Sequence, residues 1–112
     1  MQFLIFFAMA FSSQVCPSPP PDSVESPKIF THDTYLTYYP SANATIFNLL
    51  KYKNNSPLRI QATFQVYDGS ECFEHKTPIL GAGEGWKGVL FYKFEDTKKH
   101  NERGVNVYVT LE

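Results

Sequence analysis

The chain has 112 residues, of which 43% are hydrophobic and 16% aromatic, and its ten Lys and Arg residues are balanced by eleven Asp and Glu residues. This length predicts one small domain, and the near-neutral charge leaves no basic surplus for binding nucleic acid or an anionic membrane. No apolar run approaches the ~20 residues that a membrane-spanning helix needs, and the apolar content is too high for a disordered chain.

The first twelve residues are predicted to be a secretory signal peptide. An uncharged apolar run covers residues 1–11 and is followed at once by polar residues, and small residues at Ala10 and Ser12 allow cleavage before Ser13. A short apolar core with a small-residue exit is typical of such signals. We therefore expect a secreted protein. The alternative is a cytosolic protein that retains this segment as a hydrophobic arm or a first buried strand.

Residues 13–27 are predicted to be a proline-rich tail. Five of the eight prolines lie between Cys16 and Pro27. Because proline fixes the backbone and lacks an N–H donor, neither a helix nor a central strand is expected there. The segment is predicted to be an extended spacer. A polyproline recognition ligand is the alternative, although no basic residue flanks it.

Residues 28–112 are predicted to form the folded domain, because hydrophobic residues recur there with a period of two. In residues 58–67, Phe64 belongs to the set predicted to face the core and Gln65 to the set predicted to face solvent. Residues 105–112 alternate in the same way, so both segments are predicted strands. Residues 89–94 are apolar on both faces, which favours a central strand.

Turn-forming residues separate these segments. Residues 54–57 and 68–70 are predicted turns, and the polar residues 95–104 are predicted to form an exposed loop. Residues 42–52 fit either a strand or a helix, because Ile46, Phe47, Leu49 and Leu50 also match a helical stripe. Short strands at intervals of roughly 8–12 residues, without a convincing helix between them, predict an all-β sandwich.

Four short motifs follow one another along the domain. Residues 46–56 (Ile-Phe-Asn-Leu-Leu-Lys-Tyr-Lys-Asn-Asn-Ser) precede residues 60–66, which contain Phe64-Gln65-Val66, and then come Cys72-Phe73 and residues 78–84 (Pro-Ile-Leu-Gly-Ala-Gly-Glu). This order resembles the major sperm protein (MSP) domain of nematode sperm cytoskeletal proteins and of the VAP tethers of the endoplasmic reticulum. The resemblance implies a seven-stranded immunoglobulin-like sandwich that binds proteins and has no catalytic centre.

The ligand-binding positions depart from the pattern of the VAP branch. There the Phe-x-Val strand presents lysines to acidic peptides, whereas the matching positions here are Gln65 and Tyr67. Glu74-His75 stands where the family often has Arg-Pro. We therefore expect Gln65, Tyr67 and Glu74 to contact a protein partner weakly, and we do not expect acidic peptides to bind. A secretory signal is a second departure, because members of the family typically face the cytosol.

Two cysteines and two Asn-x-Ser/Thr triplets bear on the predicted secretion. In an oxidising compartment Cys16 and Cys72 are predicted to form one disulfide, whereas in the cytosol two free thiols are expected. Asn43 and Asn54 each begin an N-glycosylation triplet. Asn43 is the better candidate, because Pro57 directly follows the second triplet and should lower its occupancy.

No motif indicates catalysis, a cofactor or a metal. A phosphate-binding loop requires a Ser or Thr after its lysine, and the glycine-rich residues 81–88 have none after Lys87. They are instead predicted to form a turn, with Trp86 over one end of the core. Cys72 and His75 are an odd number of residues apart, which places them on opposite faces of a strand. The histidines match no zinc-ligand spacing.

The sequence thus predicts a small secreted or lumenal protein-binding or structural module that is not an enzyme. A cytosolic MSP-like structural protein that self-associates is the first alternative. A secreted carrier of small molecules, with a cavity lined by Tyr and Phe, is the second. The expected partner is another protein, or a second copy in a homodimer; nucleic acid and membrane insertion of the mature chain are not expected.

Overall fold

The computed structural model describes residues 16–24, 29–69, 71–95 and 103–112. The predicted signal peptide, residues 1–12, lies outside the described residues. So do parts of the predicted tail, namely residues 13–15 and 25–27, and residues 96–102 of the predicted exposed loop. Glu95 belongs instead to one strand, and Arg103 and Gly104 to the next.

The described chain is all-β, as predicted. Its strands are β1 (Phe30–Tyr39), β2 (Ala44–Asn54), β3 (Ile60–Asp68), β4 (Glu71–Lys76), β5 (Gly85–Glu95) and β6 (Arg103–Leu111). The only helical element in these ranges is a single 3-10 turn, Pro40–Ala42. No helix in the described part of the chain is long and apolar enough to cross a membrane.

The strands form two antiparallel sheets with the orders β1-β2-β5 and β4-β3-β6. Phe64, in the middle of β3, is fully buried and contacts the rings of Phe30, Phe47 and Tyr52 from the other sheet. The inner faces of the two sheets therefore share one core, as in a β-sandwich. Its buried members are Phe30, Phe47, Leu49, Tyr52, Ile60, Ala62, Phe64, Val66, Leu80, Phe94 and Val109.

The segment that fitted either a strand or a helix is strand β2. Phe47 and Leu49 alternate with partly exposed residues and lie in the core, and β2 pairs along its length with β1 and β5. Leu49 pairs with Thr34 and Lys51 with Asp33, so Leu50 is an extra residue that forms a bulge. The bulge explains the ambiguity, because it interrupts the period of two in the middle of the strand.

Strand β5 lies at the edge of its sheet, which corrects the prediction of a central strand for residues 89–94. Leu90 and Phe94 pack towards the core, but Val89 is 75% exposed and Phe91 is 64% exposed. The apolar outer face suggested burial on both sides. In the described residues that face has no covering layer.

The proline-rich tail is not a free spacer, because residues 16–24 cross the outer face of the β4-β3-β6 sheet. Cys16 is bonded to Cys72 of β4, the Pro17 carbonyl accepts a hydrogen bond from Gln65 of β3, and Val24 exchanges two backbone hydrogen bonds with Val109 of β6. The tail thus contacts all three strands, and at Val24 it pairs with the edge of β6. We call residues 16–24 the strap.

Candidate functional site

The β3 positions predicted to contact a partner lie under or beside the strap. Gln65 is only 2% exposed, and its Nε2 donates to the carbonyl oxygen of Pro17 at 2.7 Å and to Oε2 of Glu74 at 2.8 Å. Tyr67 is half-buried, with its hydroxyl oxygen close to Gly104. Gln65 is therefore a structural residue that holds the strap, which corrects its predicted exposure. Of the three predicted contact residues, only Glu74 is exposed.

The predicted disulfide between Cys16 and Cys72 is present, with the two Cα atoms 5.3 Å apart. Cys16 is buried, and the described residues contain no free cysteine. Cys72 lies on the outer face of β4, whereas the ring of His75 packs against Phe64 in the core. The two side chains therefore lie on opposite faces of β4, as the odd spacing predicts.

The two predicted glycosylation positions differ sharply. Asn43 is exposed at the end of the 3-10 turn, in the left-handed conformation that asparagine tolerates. Asn54 is fully buried; its Nδ2 donates to the carbonyl oxygens of Leu58, Leu80 and Gly81, and its Oδ1 accepts from Ser56. The folded domain leaves no room for a glycan at Asn54, which corrects that prediction.

The outer face of the β1-β2-β5 sheet carries a row of exposed side chains. Tyr35, Asn48 and Phe91 are direct cross-strand neighbours, and Val89 precedes Phe91 on the same face of β5. Tyr35 is about half exposed, and Val89 and Phe91 are among the most exposed large hydrophobic residues. We call Tyr35, Asn48, Val89 and Phe91 the aromatic row. No residue of the described chain covers it.

A groove of about 510 Å³ opens at the other end of this sheet. Three of its lining residues are lysines, which belong to β2 and β5. Lys51 lies directly opposite Lys87 in the pairing of these strands, and Lys53 lies opposite Gly85. The groove is lined by Thr31, His32, Lys51, Tyr52, Lys53, Gly83, Gly85, Trp86 and Lys87.

Trp86 forms an aromatic wall of this groove and packs on Tyr52, a member of the core, which agrees with its predicted place over one end of the core. Its ring stacks on Tyr52 with centroids 5.6 Å apart and remains 37% exposed. The ring lies over Gly88, where an added Cβ would be 2.7 Å from it, and a Cβ on Gly85 would clash with the carbonyl oxygen of Tyr52. The two glycines therefore allow the groove to keep this shape.

His32 links the groove to the core. Its ring meets Phe64 edge-on at a centroid distance of 5.4 Å, and its Nδ1 is 3.0 Å from Oγ1 of Thr34. Burial lowers the pKa of His32 below its usual value, although the neighbouring Asp33 carboxylate opposes this shift. Burial also lowers the pKa of His75.

Sequence reasoning missed the groove because its residues come from three separate segments. One signal was present: Lys51 and Lys53 are two residues apart and therefore share a face of β2. The described residues contain no cluster of three His, Cys, Asp or Glu side chains that could hold a metal. Comparisons with protein families, with curated proteins and with solved structures find no match to this chain.

Proposed function

We propose that the protein is a secreted or lumenal binding module, without catalytic activity, that contacts a protein partner through β5 and the aromatic row. The observation that carries this proposal is the exposure of Val89 and Phe91 on an eleven-residue edge strand. A long apolar edge strand is a template for pairing with another chain, and proteins usually shorten, charge or cover such edges.

The chemistry of this surface defines the partner. The edge of β5 that pairs with no described strand offers backbone donors and acceptors to an added strand. Side chains at alternate positions of that strand would contact Val89 and Phe91. Exposed aromatic residues contribute large contact areas at interfaces, whereas most surface charges contribute little. We therefore infer a partner that presents an extended segment with apolar residues at alternate positions.

Two observations support the predicted fold type and location. The strand orders β1-β2-β5 and β4-β3-β6 agree with an immunoglobulin-like sandwich if β1, β2, β3, β5 and β6 correspond to strands A, B, C, E and F. A disulfide between Cys16 and Cys72 suits an oxidising compartment. We include in this proposal that the sandwich is a seven-stranded domain of the MSP type.

The binding proposal can be tested by selecting random displayed peptides on the immobilised domain. Peptides that bind the wild-type domain should have alternating apolar residues and should lose at least about tenfold in affinity for Phe91→Glu, a loss of roughly 1.4 kcal/mol. Tyr39→Glu is the matched control, because Tyr39 is an exposed aromatic residue on the opposite edge strand, β1. Equal binding to Phe91→Glu and to the wild type would refute this surface.

Self-association of a cytosolic form is the second candidate, and the same exposed edge favours it. Two copies of β5 could pair with each other across a two-fold axis. Sedimentation at increasing concentration would then show a dimer that Phe91→Glu abolishes. A monomer at all concentrations would exclude self-association, and the partner would then be a different protein.

The location is tested by the intact mass of the protein from a secretory host. We expect residues 1–12 to be removed, one glycan that Asn43→Gln abolishes, and no thiol that reacts before reduction. A retained Met1 or two alkylatable cysteines would favour the cytosolic alternative.

A further inference from the structure

We propose that the partner segment added to β5 is acidic, with a carboxylate side chain on either side of its apolar residues. The inference rests on the proposed function, because it names the chemistry of the strand that pairs with the edge of β5. The observation that carries it is the outward-facing pattern of β5, in which Val89 and Phe91 lie between Lys87 and Lys93.

These four residues share the outer face of β5. They are two residues apart along the strand, whereas Leu90, between Val89 and Phe91, packs against the core. Lys87 and Lys93 are both exposed, as are Val89 and Phe91. A strand rises about 3.4 Å per residue, so the two lysines stand roughly 20 Å apart, one at each end of the apolar pair.

Lys87 carries the unbalanced charge of its row of cross-strand partners. It lies opposite Lys51 of β2, which in turn lies opposite Asp33 of β1. The Asp33 carboxylate is next to Lys51 and offsets that charge, which leaves the charge of Lys87 at the edge of the sheet. Glu95 follows Lys93 by two residues in the sequence, so we expect Lys87 to make the larger electrostatic contribution.

The same pattern makes a second copy of β5 a poor partner. In a two-fold antiparallel pairing that sets Val89 opposite Phe91 of the other copy, Lys87 lies opposite Lys93 at both ends. Like charges directly opposite each other destabilise a sheet, whereas opposite charges stabilise it. A strand with carboxylates at these two positions would replace two repulsions with two attractions. The inference therefore favours a different protein over self-association.

The complementary segment has the order acidic-x-apolar-x-apolar-x-acidic. Its two acidic positions have the same spacing as the lysines, and the order is the same in both directions, so it fits either a parallel or an antiparallel strand. Backbone hydrogen bonds and the apolar residues supply the affinity, and the carboxylates supply specificity and faster association. The site is on the opposite sheet from Gln65 and Tyr67, where acidic peptides are not expected to bind.

Three labelled peptides test the charge pattern by fluorescence anisotropy. They have the form X-Thr-Val-Thr-Phe-Thr-X, in which X is Glu, Gln or Lys. The Glu peptide should bind with a dissociation constant of about 100 µM or below. The Gln peptide should bind about fivefold more weakly and the Lys peptide about 25-fold more weakly, because exposed ion pairs make modest contributions. These preferences should largely disappear at about 1 M salt, which screens exposed charges.

Charge reversal on the domain identifies the residues responsible. In Lys87→Glu/Lys93→Glu the order of the three peptides should reverse, so that the Lys peptide binds most tightly. Arg59→Glu/Lys76→Glu is the matched control, because it changes the net charge equally at exposed positions outside the β1-β2-β5 sheet. This control should keep the order of the wild type. Thermal melting establishes that each variant is folded.

The outcomes separate this inference from the proposed function. Equal binding of the three peptides, weakened in each case by Phe91→Thr, would overturn the acidic partner and leave β5 as the binding surface. Phe91→Thr removes the ring without adding a charge. Binding by none of the peptides, or binding that Phe91→Thr does not change, would contradict both proposals. Binding to phosphatidylserine vesicles but not to the Glu peptide would assign this face to a membrane and overturn the inference.

Discussion

Gln65 donates a hydrogen bond to the carbonyl oxygen of Pro17 at 2.7 Å, which ties the strap to the middle of β3 across 48 residues of sequence. The bond lies between two further attachments, the disulfide at Cys72 and the backbone pairing at Val109. The outer face of the β4-β3-β6 sheet is therefore partly covered by the protein's own chain, and the exposed apolar surface is on the opposite sheet.

Removing the disulfide should destabilise the domain and release the strap. Cys16 and Cys72 are 56 residues apart, and the chain-entropy model gives a stabilisation of about 4 kcal/mol for a loop of this size. Urea unfolding of Cys16→Ser/Cys72→Ser should show a loss of this order, with faster amide exchange at Val24. Dithiothreitol should destabilise the wild type similarly and leave the variant unchanged. A loss below about 1 kcal/mol would contradict the role of the disulfide.

Gln65→Asp should be destabilising, although Gln65 lies on the outer face of its sheet. The shorter carboxylate cannot donate to Pro17 and would face Glu74, so we expect a loss of about 2–3 kcal/mol. Phe64→Asp should unfold the domain, because it buries an unpaired charge in the core. Asn106→Asp is the matched control: Asn106 is exposed and lies directly opposite Gln65 in β6. Equal melting temperatures for Gln65→Asp and Asn106→Asp would show that the strap does not cover Gln65.

Asn54→Ala should cost about 3 kcal/mol in the free energy of unfolding. The substitution leaves the buried N–H of Ser56 without its acceptor, and it removes one of two bonds to the carbonyl oxygen of Leu80, which keeps the bond from the Ile60 N–H. Buried polar groups without partners each cost roughly 1–3 kcal/mol. Asn55→Ala is the control, because the Asn55 side chain makes one exposed bond, to Thr31, and should cost less than about 0.5 kcal/mol. Similar unfolding curves for both variants would be inconsistent with the network.

The domain should become less stable as the pH falls below about 6.5. Burial lowers the pKa of His32 and of His75 from the usual value of 6.5. The unfolded chain therefore binds protons at a higher pH than the folded chain does. The contribution of each neutral histidine is complete above pH 6.5 and is lost as the pH falls towards the folded pKa.

Melting temperatures at pH 7.5 and pH 5.5, at constant ionic strength, measure this effect. The wild type should melt at a lower temperature at pH 5.5. In His32→Gln/His75→Gln the difference should shrink, because the groups that titrate in this window are absent. A double variant with the full pH dependence of the wild type would assign the effect to other groups.

The local sequence determined β3 and β6 and their inner faces, but it left helix and strand both open for β2, where the bulge at Leu50 interrupts the period of two. The period of two in β3 correctly places Phe64 in the core, since consecutive side chains of a strand point to opposite faces whatever the rest of the chain does. The two cysteines predicted the disulfide only together with the predicted secretion, because in an oxidising compartment an even count leaves each thiol a partner.

Only the tertiary structure decided what covers the outer faces. Val89 and Gln65 are both outward-pointing, yet the apolar one is exposed and the polar one buried, because the strap lies on one sheet and no described segment lies on the other. The groove beside Trp86 has the same origin. Its walls come from residues 31–32, 51–53 and 83–87, and strand pairing, which depends on contacts distant in sequence, brings them together.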